Sequence, residues 1–343
     1  MAINVGIVGM GFMGRTHLAG YRRLKNAKVI AFADTEKEVR EGRVTGAGNI
    51  GDTSAIFDPR RFKRIYASGL DLIADPEIQI VDICAPTPAH RELFVAACAA
   101  GKHVLVEKPM ARRPEDVEAM LQSAKRATGK VMVAQCIRFW PEYVRLKQYV
   151  TKGPLGPCKS LILRRQGANA LWSKWYTQAE ISGGALYDLH VHDTDYVNYL
   201  FGKPLAVHSV GSSGQTTDSG VDHVVTNYVF PKSAVEAVTA IGAWSQHGKW
   251  PFFMGYTAVF EGATLDFDCH RTEPGSLMMY TNKSSKSIKV ATTTGWAEQV
   301  RYFVNCVARN LDPSACDFTS SALTMKIVQA EERSIQTGRI EAV

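Results

Sequence analysis

The chain has 343 residues, 45% of them apolar and 21% charged, a composition that suits about two globular domains and excludes a disordered or low-complexity chain. Its formal charge of +7 is scattered over pairs such as Arg22–Arg23, Arg60–Arg61 and Arg164–Arg165 without any nucleic-acid motif, so no nucleic-acid partner is expected. The seven cysteines form no CxxC pair, no signal peptide is visible and no apolar run is long enough for a bilayer; a cytoplasmic protein with reduced thiols is expected, not a disulfide framework, a zinc site or a membrane protein.

Residues 3–8, INVGIV, read as an apolar strand, and Arg15–Leu24 as a helix. Between them Gly9-Met10-Gly11-Phe12-Met13-Gly14 is GxGxxG in the strand–turn–helix setting that gives the motif meaning. Gly9 allows the tight turn, Gly11 lets a pyrophosphate approach the backbone, and Gly14 lets helix and strand pack. The helix N-terminus then presents free N–H groups to phosphate. A second strand, Lys28–Ala33, ends at Asp34, twenty residues past Gly14. There a carboxylate can accept both ribose hydroxyls of NAD and repel a 2′-phosphate. Thr35, not Arg, follows, so NAD is expected over NADP. The plainer alternative for Asp34 is a surface acid at a strand end.

Residues 42–64 read as a Gly-rich, then basic, irregular excursion. A short strand at Ile65–Ala67, a helix at Gly69–Ala74 and a strand over 78–85 follow. Pro86-Thr87-Pro88-Ala89-His90 opens the next helix, at the sheet edge where a nicotinamide belongs. Pro86, Thr87 and His90 are therefore cofactor candidates, with His90 equally readable as structural. Residues 102–110, KHVLVEKPM, form a buried strand running into Glu107, Lys108 and Pro109. Pro109 biases Lys108 towards extended geometry. A lysine held against a low-dielectric wall can act as acid or base; the alternative is a snorkelling side chain. Glu107 and Lys108 join the cofactor-binding set.

Alternating strands and helices make 1–125 a doubly wound parallel domain of Rossmann type, an α/β fold. Residues 126–343 read as a second α/β domain with a large, mostly antiparallel open sheet. Strands are expected near 131–139, 160–165, 207–212, 223–230, 234–244, 257–261, 264–268, 277–281 and 288–291, and closing helices over Trp296–Arg309 and Ser320–Thr337. Within it, GGALYDLHVHDTDYVNYLFG (183–202) predicts a long helix. Asp188 and His192, four apart, share a face with an offset of about 40°, a pairing suited to general acid–base work. His190 points away from His192, so the Asp188, His190, His192, Asp193 group is not expected to hold a metal. Arg138, Trp140, Trp172 and Trp175 are candidates for gripping or stacking on a substrate, or for core packing.

GMGFMG, EKP at 107–109 and GGALYDLHVHDTD, in this order over essentially the whole chain, resemble the glucose-fructose oxidoreductase/inositol dehydrogenase/MocA family. The resemblance implies a carbohydrate substrate and a homodimer or homotetramer formed through the open sheet. Lys108 matches the family's EKP lysine, Asp188 its helix aspartate and His192 its helix histidine. The family often has Gly where this chain has His190, which makes His190 a substrate-site candidate and leaves the substrate open. The implied activity is hydride transfer between NAD(P) and a ring hydroxyl of a sugar or polyol, with Lys108 or His192 taking the proton. Two alternatives stand beside it: a redox-neutral glycoside hydrolase using transient oxidation at C3, and a catalytically silent NAD-binding regulator.

Overall fold

The computed structural model describes residues 2–43, 57–168 and 174–343. Most of the 42–64 excursion and Trp172 lie outside the described residues. The chain divides into two compact units, Met1–Cys136 with Thr294–Ala322, and Ile137–Thr293 with Leu323–Val343.

Among the described residues the first unit holds six strands: β1 Ile3–Val8, β2 Ala27–Ala33, β3 Arg64–Tyr66, β4 Ile80–Ile83, β5 His103–Glu107 and β6 Val131–Ala134. Their order is β3-β2-β1-β4-β5-β6, and every pair is parallel. The central strands are continuous apolar runs because both faces of a parallel sheet are covered; Val5, Ile7, Ile80, Val81, Val104, Leu105 and Val106 are all buried. The chain leaves β1 towards β2 on one side and later returns to β4 on the other. The turns after β1, β4 and β5 therefore emerge at one carboxyl edge, where such sheets bind ligands.

Two boundaries differ from the sequence reading. The parallel sheet runs past residue 125, because β6 pairs with β5 from Val104↔Val131 to Glu107↔Ala134. The strand expected over 131–139 stops at Ala134 and becomes a 3₁₀ turn, Cys136–Phe139. The Gly295–Ala308 helix belongs to this first unit. It packs on Gly20, where an added Cβ would lie 3.5 Å from Val300, a close approach that no local pattern announces.

Among the described residues the second unit is built on nine strands: β7 Cys158–Ala168, β8 Ala206–Ser213, β9 Val221–Val229, β10 Ala237–Gln246, β11 Phe253–Phe260, β12 Thr264–Asp268, β13 Leu277–Tyr280, β14 Ser285–Ser287 and β15 Glu341–Ala342. Their order is β14-β13-β12-β11-β7-β10-β9-β8-β15, antiparallel except for the β7–β10 pair. Along β7, Leu161, Leu163 and Arg165 are buried, while Ile162 and Arg164 face out, the period-two signature of a sheet covered on one side. The strand expected at 288–291 is absent, because β13 pairs with the polar Ser285–Ser287 immediately before it. The long helix after Gly183 is not uniform: Leu186–His190 forms a π turn, and Val191–Phe201 continues as α-helix. Among the described residues no helix is long and apolar enough to cross a membrane.

Candidate active site

The glycine loop after β1 is shaped by three different contacts. Gly9 has φ +90, and a Cβ there would stand 2.7 Å from the Cys84 carbonyl oxygen. A Cβ on Gly14 would stand 2.0 Å from the Gly9 oxygen, so only glycine lets the helix start this close to the strand. Gly11 is exposed, and a Cβ there would meet nothing within 4 Å, so its side of the loop is open to a ligand. The Phe12–Tyr21 helix begins without a side-chain cap, which leaves its first amides available to an anion. Asp34 ties the loop to β2: its Oδ2 accepts the Met10 N–H (2.8 Å) and its Oδ1 the Glu36 N–H (2.9 Å). The carboxylate keeps further lone pairs for a ribose diol. Thr35 is exposed beside it, Met13 is half-buried, and Phe12 packs edge-on against Trp296. These residues fit a pyrophosphate and an unphosphorylated ribose.

β5 ends in the EKP turn. Glu107 is buried, Lys108 is half-buried, and the Lys108–Pro109 peptide is cis. Glu107 Oε2 accepts the Lys108 N–H (3.1 Å). His90, a cofactor candidate equally readable as structural, is buried. Its Nδ1 lies 3.0 Å from the Pro109 oxygen and its Nε2 2.8 Å from the Ala85 oxygen, so both ring nitrogens are committed to backbone. Burial pushes the imidazole pKa below its ordinary value against the opposing pull of the two carbonyls. Thr87 is buried as well, while Pro86 is exposed.

Sequence reasoning missed His17. It is fully buried, with Nδ1 2.9 Å from Asp82 Oδ2 and Nε2 3.1 Å from Glu107 Oε1. The Gln299 amide nitrogen is 2.9 Å from the same Nε2, and Cys84 Sγ is 3.4 Å from Nδ1. Burial alone would lower the His17 pKa, but Asp82 and Cys84 outweigh it and hold it well above the histidine range. A signal was present: His17 is three residues past Gly14 and so shares its sheet-facing side of the helix. His17, Asp82 and Cys84 have metal-ligating chemistry, as do Asp268, Cys269 and His270. The direct 2.9 Å contact of His17 with Asp82 is shorter than the roughly 3.3 Å that separates two tetrahedral zinc ligands. The buried trio is thus a hydrogen-bonded cluster.

In the second unit the π turn inserts one extra residue per turn just where Asp188 lies, so the regular 3.6 spacing assumed for this helix does not hold there. Asp188 and His192 are both half-buried, on the less covered side of the helix. His190, a substrate-site candidate from the resemblance, lies in the core of its unit. It is fully buried, with Nε2 3.2 Å from Thr226 Oγ1, 3.5 Å from the Tyr228 hydroxyl and 3.7 Å from Glu331 Oε1. β10 makes room for its ring at Gly242, where a Cβ would stand 2.7 Å from His190 Nδ1.

Arg138, a candidate for substrate or for packing, is buried in a two-pronged pair with Asp195 (2.8 and 2.6 Å), and Asp195 also accepts from Thr324 (2.9 Å). Arg165 grips Asp193 in the same manner (3.0 and 2.9 Å). The aspartates after His192 thus anchor the helix to its own unit. Trp140 is half-buried and precedes the Pro141–Lys152 helix. Trp175 stacks on Tyr176 at 4.0 Å, and Tyr176 meets Trp244 edge-on.

Comparison with known proteins identifies the family and the fold. Residues 3–135 match the family model described as "Oxidoreductase family, NAD-binding Rossmann fold", and residues 143–298 match the GFO/IDH/MocA C-terminal domain. The chain belongs to the glucose-fructose oxidoreductase/inositol dehydrogenase/MocA family, and its first unit is the family's NAD-binding fold. It is 33% identical over 230 residues to levoglucosan dehydrogenase of Pseudarthrobacter phenanthrenivorans, covering 62% of this chain and 54% of that one. It is 29% identical over 202 residues to myo-inositol 2-dehydrogenase of Thermotoga maritima (59% and 55%). It is 27% identical over 258 residues to 2,7-anhydro-N-acetylneuraminate hydratase of Escherichia coli (73% and 63%). The chain thus spans little more than half the length of the first curated relatives it matches. A solved levoglucosan dehydrogenase complex with NADH and levoglucosan shares the fold over 100% of both chains, with TM-score 0.84 at 24% identity.

Proposed function

We propose that this protein is an NAD-dependent oxidoreductase that moves a hydride between nicotinamide and a ring hydroxyl of a sugar or polyol. One observation carries the reading: the open glycine loop after β1 and the EKP turn after β5 leave the same carboxyl edge of one parallel sheet. When bound, NAD supplies the hydride acceptor. Gly9, Gly11 and Gly14 with the helix amides would hold its pyrophosphate, and Asp34 would hold the ribose and disfavour a 2′-phosphate. Lys108 takes the hydroxyl proton as hydride leaves the carbon and steadies the developing alkoxide. In the second unit, Asp188 and His192 are the candidate acid–base pair, His192 being the other possible proton acceptor. Trp140 and Trp175 remain candidates for stacking on a sugar ring.

A panel of sugars, inositols, uronates and aryl glycosides with NAD tests this, read both for NADH absorbance and for released aglycone. NADH formation from a polyol supports the dehydrogenase; tighter calorimetric binding of NADP than NAD would remove the Asp34 assignment. A redox-neutral reading draws on the likeness to the hydratase and predicts product without net NADH. We further propose that copies of the chain assemble into a homodimer or homotetramer through the outer face of the nine-stranded sheet, where Ile162, Val210, Val229, Val259 and Tyr280 are exposed. Sedimentation at two concentrations checks it. The seven free cysteines support a reducing, cytoplasmic setting.

A further inference from the structure

Two buried histidines touch the EKP turn on either side of Lys108. On one side Glu107 Oε1 meets His17 Nε2 at 3.1 Å, while Glu107 Oε2 holds the Lys108 amide. On the other, His90 Nδ1 reaches the Pro109 oxygen at 3.0 Å, and its Nε2 ties that contact to Ala85, just past β4. We propose that His17 and His90 are positioning residues: two imidazole braces that fix the EKP turn and with it the point from which Lys108 presents its amine. The inference rests on the reading of Lys108 as the residue at the reacting hydroxyl.

The surroundings of His17 explain why a histidine stands there. Asp82 and Cys84 face it from the β4 side, Glu107 from β5 and Gln299 from the Gly295–Ala308 helix. Tyr21, one turn along its own helix, is also buried near Asp82. Two carboxylates shielded from water need a partner of opposite charge. An imidazolium lies against both at once: Nδ1 donates to Asp82 Oδ2, and Nε2 stands within ion-pair distance of Glu107 Oε1. Glu107 Oε1 lacks a well-directed hydrogen bond, as does Gln299 Oε1. A flip of the Gln299 amide turns its oxygen to the charged Nε2, the assignment that such a network selects. A neutral ring would leave the two buried carboxylates without a cation between them. His17 thereby links the glycine-loop helix, β4 and the EKP turn through one charged group.

The test uses the full chain with NAD bound. Histidine ¹⁵N spectra are expected to show one imidazole that stays doubly protonated above the ordinary histidine range and vanishes in His17→Gln. A His17 ring that is neutral at pH 7 overturns the charged brace. Reductive methylation of Lys108, followed by mass spectrometry, is expected to quicken several-fold in His17→Gln and in His90→Gln; unchanged rates in both overturn the proposal. With levoglucosan as probe, each variant is expected to lower kcat roughly 10-fold to 100-fold with KM for NAD little changed. Neither should cost more than about twofold further in a Lys108→Ala background. Equal losses in both backgrounds would mean that the histidines serve general stability. If Lys108→Ala itself keeps full turnover, the reading of Lys108 fails, and the methylation rates alone decide the braces.

Discussion

His17 and His190 are both closed off from solvent, and both face a sheet from a helix. Their neighbours differ. His17 stands between two carboxylates, Asp82 at 2.9 Å and Glu107 at 3.1 Å, and one of them begins the EKP turn. His190 meets hydroxyls, Thr226 at 3.2 Å and Tyr228 at 3.5 Å. The carboxylate beyond them, Glu331, is already satisfied by Tyr228 (2.7 Å) and Thr194 (2.9 Å). In the first unit the histidine is an electrostatic tie reaching the edge where chemistry is proposed. In the second it fills a core position that Gly242 leaves vacant for it. Two residues of one type, equally buried, thus acquire different work from the charge of what they touch.

The sharpest way to break this contrast is to remove Lys108, since the first unit's braces matter only if that turn is functional. Lys108→Ala is expected to lower kcat by roughly 10³-fold, with KM for NAD within a few-fold; steady-state kinetics on a turned-over polyol measure it. A variant that keeps its kcat would make EKP a structural motif.

The next largest effect is structural and lies in the second unit. Arg138→Met leaves Asp195 buried without its cation and is expected to cost about 3–5 kcal/mol. Replacing Asp195 by Leu in the same chain should return most of that loss. Urea unfolding of the two variants reads it, and a mild single loss would show that the Arg138–Asp195 pair does not hold the helix in place.

Asp188→Asn and His192→Gln are each expected to cost roughly 10² in rate, and together little more than the worse single change. Fully additive losses would show that the π turn separates the two groups. A smaller effect tests His190 itself. Gly242→Ala should destabilise by about 1–3 kcal/mol through overpacking, and by less once His190 has been cut back to Ala. Equal penalties in both backgrounds would show that the glycine and the imidazole are not matched.

The mildest expectation concerns pH. His17 has a raised pKa in the fold, so its stabilising contribution is complete below the unfolded value of about 6.5. It is lost as pH climbs through the higher folded value, on the alkaline side. His90, with a lowered pKa, acts oppositely: its neutral form is favoured, and stability falls as pH drops below about 6.5. Unfolding free energies of His17→Gln across neutral to alkaline pH should therefore run flatter than those of the parent chain.

Much of the first unit was legible without coordinates. GxGxxG, Asp34 and EKP each announce themselves through local chemistry: a glycine where a Cβ cannot fit, an acid at a strand end, a proline after a buried strand. Alternation of apolar strands and helices was enough to read a parallel sheet followed by a mostly antiparallel one, but neither the strand order nor the boundary between them. What stayed hidden is what depends on residues far apart in the chain. Asp82, Glu107 and Gln299 reach His17 across 65, 90 and 282 positions, and no periodicity encodes that meeting. Arg138 stayed open between a substrate grip and a structural role because its partner, Asp195, was 57 residues away. The π turn escaped because an apolar pattern reports a helix without reporting its pitch. Local sterics and hydrophobic period determined the elements and the dinucleotide fingerprint by sequence alone. The charge state of a buried imidazole, and whether a polar side chain serves the core or the edge, was decided only when the tertiary fold chose its neighbours, because desolvation and Coulomb energy depend on distance in space and not along the chain.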